Sequence, residues 1–199
     1  MNLLTEALPE SVRVGPLSLP MDTDFRAWIR LEDLLLDETI GQGQKALLAL
    51  ELAYPNGVPP MLSEEALEKV FWFYTCGQVA PEDAVAEDSG PIEPAFSYEQ
   101  DGAYIYAAFL EQYGIDLTKE SLHWWKFRAL FQSLNPSTQF VKIMNYRKMK
   151  IPADMPASQR EFYTKMKKLY ALPISAAEAE QQKQIEEVLL NGGDLSAIL

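Results

Sequence analysis

Few residues in this chain could do chemistry. Cys76 is the single thiol and His123 the single imidazole. A Cys–His pair can act as nucleophile and base, but no nucleophile elbow and no second histidine accompany it. His123 stands beside Trp124 and Trp125, so it is read as a packing or capping histidine. Cys76 and His123 together fall short of the four donors of a structural zinc cage. Gly41-Gln-Gly43-Gln-Lys45 faintly resembles a phosphate loop. It lacks the spacing of two glycines and a lysine that cradles phosphates, and it follows an acidic helical segment rather than a strand. It is read as a turn. Asp101 and Glu111 could pair for acid–base work, but ten residues of helix separate them by about 15 Å of rise. The acidic cluster Glu82-Asp83 with Glu87-Asp88 lacks the ligand spacing of a calcium loop. Trp124–Arg128 mixes rings and cations, as a single-stranded nucleic-acid platform does. At helical spacing those rings read as core instead. No cofactor site is expected.

The composition bounds the class. The chain has 199 residues, 48% of them apolar, with 9 Phe, 9 Tyr and 4 Trp. That is enough for one cored domain, or one domain and a tail. Its net charge of −12 is unevenly distributed. Residues 1–100 carry 5 Lys/Arg against 18 Asp/Glu, and residues 117–170 carry 11 against 3. Overall acidity argues against general nucleic-acid binding. The two regions could meet within the fold or between subunits, so homo-oligomerisation stays open, as does an acidic partner for the basic region. One cysteine forms no internal disulfide and suits a reducing cytosol. The N-terminal residues have no basic region ahead of an apolar run, so no signal peptide is expected. No run of 18 apolar residues exists, so no membrane span is expected.

Stepping along the chain gives the elements that must position these residues. Ser11–Pro20 alternates apolar and polar residues about Gly15-Pro16, which predicts a β-hairpin leaning on later helices. Asp22 and Thr23 offer N-caps to a helix over Asp24–Leu36, with Arg26, Arg30 and Asp33 facing solvent. A helix over Gln44–Ala53 presents Leu47, Leu48 and Leu52. Pro55–Pro60 is a loop. Ser63 caps a helix that carries Leu67, Val70, Phe71 and Tyr74 and stops at Gly77. Residues 78–96 read as an exposed acidic loop. The capping box Ser97–Gln100 opens a helix to Tyr113, with Ile105, Ala108, Phe109 and Gln112 on one stripe and Gly114 at its end. Thr118 caps a central helix, Lys119–Leu134, in which Phe127 and Phe131 are the firmest core positions. After Asn135-Pro136 a further helix presents Phe140, Ile143 and Met144, and Asn145 suits a left-handed turn. A capping box at Ser158–Glu161 opens a helix over Gln159–Ala171, with Phe162, Met166, Leu169 and Tyr170 inward. A third box at Ser175–Glu178 opens a polar helix to about Leu190.

The fold class is therefore mostly α: a multi-helix single domain with a small N-terminal β-hairpin. Residues 1–173 form the helical domain, interrupted by the acidic loop 78–96. Residues 174–199 form a peripheral helix and tail.

Several phrases, in order, resemble the bacteriophage gene-product-fifteen family. They are Thr23-Asp-Phe-Arg-Ala-Trp-Ile-Arg30, Phe73-Tyr-Thr-Cys-Gly77, Tyr104-Ile-Tyr-Ala-Ala-Phe109, Gln112-Tyr-Gly-Ile-Asp-Leu117, Leu122-His-Trp-Trp-Lys-Phe-Arg-Ala-Leu-Phe131, Phe140-Val-Lys-Ile-Met-Asn-Tyr-Arg147 and Lys168-Leu-Tyr-Ala-Leu-Pro173. The match covers roughly Met1–Pro173. Where this chain has Asn145 the family pattern has Gly, and both residues allow positive φ. The resemblance implies a tail-morphogenesis protein of long-tailed phages and prophages, acting in the host bacterial cytoplasm. It implies a chaperone that binds the tape-measure protein and recruits major tail protein, without enzymatic activity. A structural component retained in the virion is the alternative, and an acidic inhibitor of a host protein a weaker one. The candidate partner-binding residues are Lys126, Arg128, Lys142, Arg147, Lys148, Lys165 and Lys168, with any of Trp124, Trp125 and Tyr170 that are exposed.

Overall fold

Strands β1 (Ser11–Val14) and β2 (Leu17–Pro20) pair antiparallel in the register Val12↔Leu19 and Val14↔Leu17. Gly15 turns the chain with φ of +53°, a conformation glycine adopts without a Cβ penalty. Val12 and Val14 are buried while their strand neighbours are exposed. The hairpin leans on a helix as expected, because the Gly15 amide donates to Glu65 Oε1 at 2.9 Å.

The computed structural model describes residues 2–78, 94–152 and 154–173. These contain seven α-helices: α1 (Phe25–Leu36), α2 (Gln42–Ala53), α3 (Ser63–Tyr74), α4 (Tyr98–Tyr113), α5 (Trp124–Gln132), α6 (Gln139–Lys148) and α7 (Ala157–Leu169). A 3-10 turn at Pro60–Leu62 precedes α3. The protein is thus mostly helical with an N-terminal β-hairpin. Most of the acidic loop, 79–93, and the third capping box with its helix, 175–190, lie outside the described residues.

The chain divides into two compact units: residues 1–94 with 98–142, and residues 95–97 with 143–199. The division falls inside α6, between Lys142 and Ile143. The first unit is built on aromatic packing. Phe127 is fully buried and stacks on Phe25 at 4.7 Å, Phe109 at 5.1 Å and Trp124 at 5.8 Å. Trp28 stacks on Phe73 at 4.5 Å. Each large ring removes about 1.5–3 kcal/mol worth of apolar surface from water. Indoles also need a hydrogen-bond partner when buried. Trp28, Trp124 and Trp125 donate to the carbonyls of Asp22, Tyr74 and Phe73 respectively. The second unit centres on Tyr146, which packs against Phe162, Tyr163 and Tyr170.

The structure departs from the residue pattern at several points. The helix expected over Lys119–Leu134 begins only at Trp124, and its N-cap is His123 rather than Thr118. Thr118 instead closes a local turn on Asp116 Oδ1. The approach to α5 is extended because Leu122 and Trp124 pair with Thr23 and Phe25 across a β-bridge between Asp24 and His123. Phe131 is only half-buried. The N-cap of α1 is Asp24, while Asp22 accepts from the Asp24 amide. Arg26 does not face solvent freely: its guanidinium reaches the Leu117 and Glu120 carbonyls and Asp24. In α2 the buried residues are Lys45, Ala49 and Ala53, and Leu47 is 64% exposed. Small residues let α2 approach α1 and α3 closely, so Leu47 is turned outward while Leu48 and Leu52 are half-buried. Ser63 begins α3 without a side-chain cap, and the helix buries Ala66, Val70 and Phe73, leaving Phe71 exposed. The left-handed residue after α3 is Cys76, with φ of +58°, followed by Gly77 at +70°. Their amides bond to Phe73 and Trp72 carbonyls, the paired pattern of a Schellman end. Asn145 lies inside α6 and makes no left-handed turn. Helix α7 starts at Ala157 behind Pro156, so Ser158 is no cap, and none of its residues is buried.

Candidate functional site

The seven candidate cations separate into two kinds. Arg128 is half-buried on α5, with its guanidinium 5.7 Å from the Tyr74 ring centroid and 5.3 Å from that of Trp124. The Tyr74 hydroxyl donates to Glu32 Oε2 at 2.6 Å. Burial first, and then that bond to Glu32, push the Tyr74 phenol far above its ordinary range. Arg128 is therefore part of an internal cluster. Arg147 is likewise engaged, donating to the Tyr170 carbonyl at 2.6 Å and the Ala95 carbonyl at 3.2 Å. It joins three stretches of the second unit.

Lys126, Lys142, Lys148, Lys165 and Lys168 are exposed and form no ion pair among the described residues. Lys126 and Lys142 belong to the first unit, and Lys148, Lys165 and Lys168 to the second. Trp124 and Trp125 are 0% and 2% exposed, so neither presents a ring to a partner or a nucleobase. Tyr170 is half-buried against Tyr146.

The Nδ1 of His123 accepts from the Trp125 amide at 3.1 Å, and its Nε2 lies 3.0 Å from the Pro9 carbonyl. That arrangement fixes the neutral ring with its proton on Nε2. It caps α5, as expected. The Cys76 sulfur lies 3.9 Å from the Tyr74 carbonyl, and burial pushes its thiol up, away from the reactive thiolate. Lys45 Nζ donates to the Leu35 carbonyl at 2.6 Å, in the last turn of α1 where a cation suits the helix dipole. It supplies no free phosphate ligand. Asp101 is buried and Glu111 exposed on α4. Among the described residues no cluster of His, Cys, Asp and Glu could hold a metal, and no helix is long and apolar enough to cross a membrane.

What the residue pattern did not signal is an apolar cleft of about 230 Å³ in the first unit. Phe25 and Ile29 of α1, Ile105 and Tyr106 of α4, Leu117 and Phe127 form its walls. Arg26 lines its edge and ties α1 to the 117–120 segment, and the adjacent Ser121 donates to Asp24 Oδ2 at 2.6 Å. Burial of the Asp24 carboxyl opposes its ionisation. The bonds from Ser121, the Arg26 amide and the Arg26 guanidinium outweigh this and hold its pKa below the ordinary value of 3.8. The cleft is smaller than the ~300–1,000 Å³ of small-molecule sites. It suits an apolar side chain better than a cofactor. Its walls come from four separated stretches, which is why no local motif marks it.

The chain matches the family model described as Bacteriophage Gp15 protein over residues 4–172. It belongs to that family and is a phage-related protein. No curated protein and no solved structure matches it.

Proposed function

We propose that this chain is a non-enzymatic tail-assembly protein: a chaperone that holds a helical segment of the tape-measure protein and brings tail-tube subunits to it in the host bacterial cytoplasm. The observation that supports this reading is the apolar cleft between α1 and α4. A partner helix recognised through its apolar face inserts anchor side chains into such a groove. Exposed Lys126 and Lys142 on the same unit offer charge to acidic residues flanking the anchor. Membership of a phage family supports the setting.

Quantitative mass spectrometry of purified virions and of cleared lysate tests the reading. A chaperone is present in lysate complexes with tail proteins and absent from the virion. Stoichiometric retention in the virion overturns the chaperone role and makes the protein a structural tail component. A lysate complex with a host protein alone overturns both in favour of an inhibitor.

A further inference from the structure

Helices α3 and α7 carry outward stripes that mirror one another. On α3, Glu64, Glu68 and Phe71 are exposed at i, i+4 and i+7, and Trp72 lies beside Phe71. The opposite face of α3 is fixed in the core by Ala66, Val70 and Phe73. On α7, Phe162, Lys165, Lys168 and Leu169 are exposed within eight residues, and no α7 residue is buried. The exposures are large for rings and leucine: Phe71 43%, Trp72 37%, Phe162 49% and Leu169 63%. Scattered apolar surface is ordinary, but two helical stripes that interleave apolar and like-charged residues mark interaction faces.

The charges of the two units are opposite. Described residues of the first unit carry 9 Lys/Arg against 17 Asp/Glu, and those of the second carry 7 against 2. Glu64, Glu68, Lys165 and Lys168 form no ion pair among the described residues.

We propose that α3 of one copy packs antiparallel against α7 of a second copy of this chain. Read backward, α3 gives Phe71, Glu68 and Glu64, in steps of three and four residues. Read forward, α7 gives Phe162, Lys165 and Lys168, with Leu169 one residue on. At 1.5 Å of rise per residue both runs extend about 10 Å. Antiparallel packing sets Phe162 against Phe71 and Trp72 and Lys165 against Glu68. At the level of Glu64, Leu169 continues the stripe, and Lys168, about 120° around the helix from Phe162, reaches Glu64 from its flank. Parallel packing would let Leu169 meet Phe71, but it would set Phe162 against Glu64 and leave Lys168 beside Phe71, away from both glutamates. Like-with-like contacts fail on charge, because α3 on α3 opposes glutamates and α7 on α7 opposes lysines. The contact is therefore heterologous, and such contacts close into rings or continue as filaments. This inference stands apart from the tail-assembly reading, since it concerns a different surface and a different occupant.

Sedimentation velocity of the full chain, in low and high salt over a range of concentrations, tests it. The mean mass rises with concentration at low salt and falls at 0.5 M salt, where exposed ion pairs are screened. Lys165→Glu with Lys168→Glu weakens association at least about tenfold, as does Glu64→Lys with Glu68→Lys. All four positions are exposed, and circular dichroism verifies that each variant folds. An equimolar mixture of the two variants associates again, because reversed α7 meets reversed α3. A wild-type chain that stays monomeric at several hundred micromolar overturns the proposal. So does association that neither pair of substitutions weakens, or a mixture that fails to recover it.

Discussion

The indole Nε1–H of Trp125 donates to the carbonyl oxygen of Phe73 at 2.8 Å, with both side chains buried. The bond ties the first turn of α5 to the last turn of α3. Trp124 repeats it one residue along, on the Tyr74 carbonyl at 2.9 Å. Adjacent indoles thus satisfy adjacent carbonyls at the end of α3, where a helix leaves its acceptors unpaired. Trp125→Phe keeps an aromatic ring in place and removes the donor. The Phe73 carbonyl retains the Cys76 amide, so it is not orphaned. The expected loss is about 1–3 kcal/mol, combining one hydrogen bond and a partial cavity. A lower urea midpoint at an unchanged slope verifies it.

Two glycines should respond to alanine in opposite directions. Gly77 has φ of +70°, and a Cβ there would lie 3.2 Å from Trp125 Cη2 and 3.5 Å from Trp72 Cζ2. Gly77→Ala combines left-handed strain with crowding against the indoles, and should cost at least about 1 kcal/mol. Gly102 lies within α4, with nothing within 4 Å of an added Cβ. Gly102→Ala should stabilise by about 0.5–1 kcal/mol through helix propensity. Thermal unfolding of the two variants beside the wild type should move Tm down and up respectively.

His123 gives the stability a pH dependence. Its pKa is lowered from the ordinary 6.5, chiefly by burial, with Lys126 adding to the shift while the Pro9 carbonyl and Glu10 oppose it. A base whose folded pKa is depressed favours the folded state fully above the unfolded value. That contribution is lost as pH falls below 6.5 toward the folded pKa. The structural event is loss of the α5 cap, since a protonated Nδ1 cannot accept from the Trp125 amide. Asp24 acts lower: its depressed pKa makes its contribution vanish only below the ordinary carboxylate range. His123→Asn keeps a capping acceptor and removes the titration. Denaturation midpoints between pH 7.5 and 5 should fall for the wild type and be flatter for His123→Asn.

These relations also explain what the residue pattern could and could not give. The hairpin, α1, α3 and α4 were legible because alternation, helical spacing and the glycines at 15, 77 and 114 act locally. The start of α5 was not. Thr118 is a good local cap, but pairing of residues 122–124 with 23–25 holds the preceding chain extended, and that pairing joins stretches about a hundred residues apart. On α2 hydrophobicity favours Leu47, while close helix packing selects Ala49 and Ala53 for the buried face. In α7 periodicity identified the stripe of Phe162 and Leu169 but could not tell whether anything covers it. Among the candidate cations, Arg128 and Arg147 carry the same formal charge as the lysines. Only tertiary contact distinguishes the two engaged arginines from the five exposed lysines. The cleft was invisible because Phe25, Ile105 and Leu117 converge only in the folded unit.

The proposed role depends most on a partner helix anchored in that cleft. Co-expression with a fragment of the tape-measure protein, followed by gel filtration, tests this most directly, with Ile29→Lys as the paired variant. Ile29 is half-buried on the cleft wall, so a lysine there blocks an apolar anchor at modest cost to folding. The expected result is a soluble fragment eluting in complex with the wild type, and an insoluble or free fragment beside a folded Ile29→Lys variant. A fragment that stays insoluble with the wild type, or a complex that Ile29→Lys leaves intact, would contradict it.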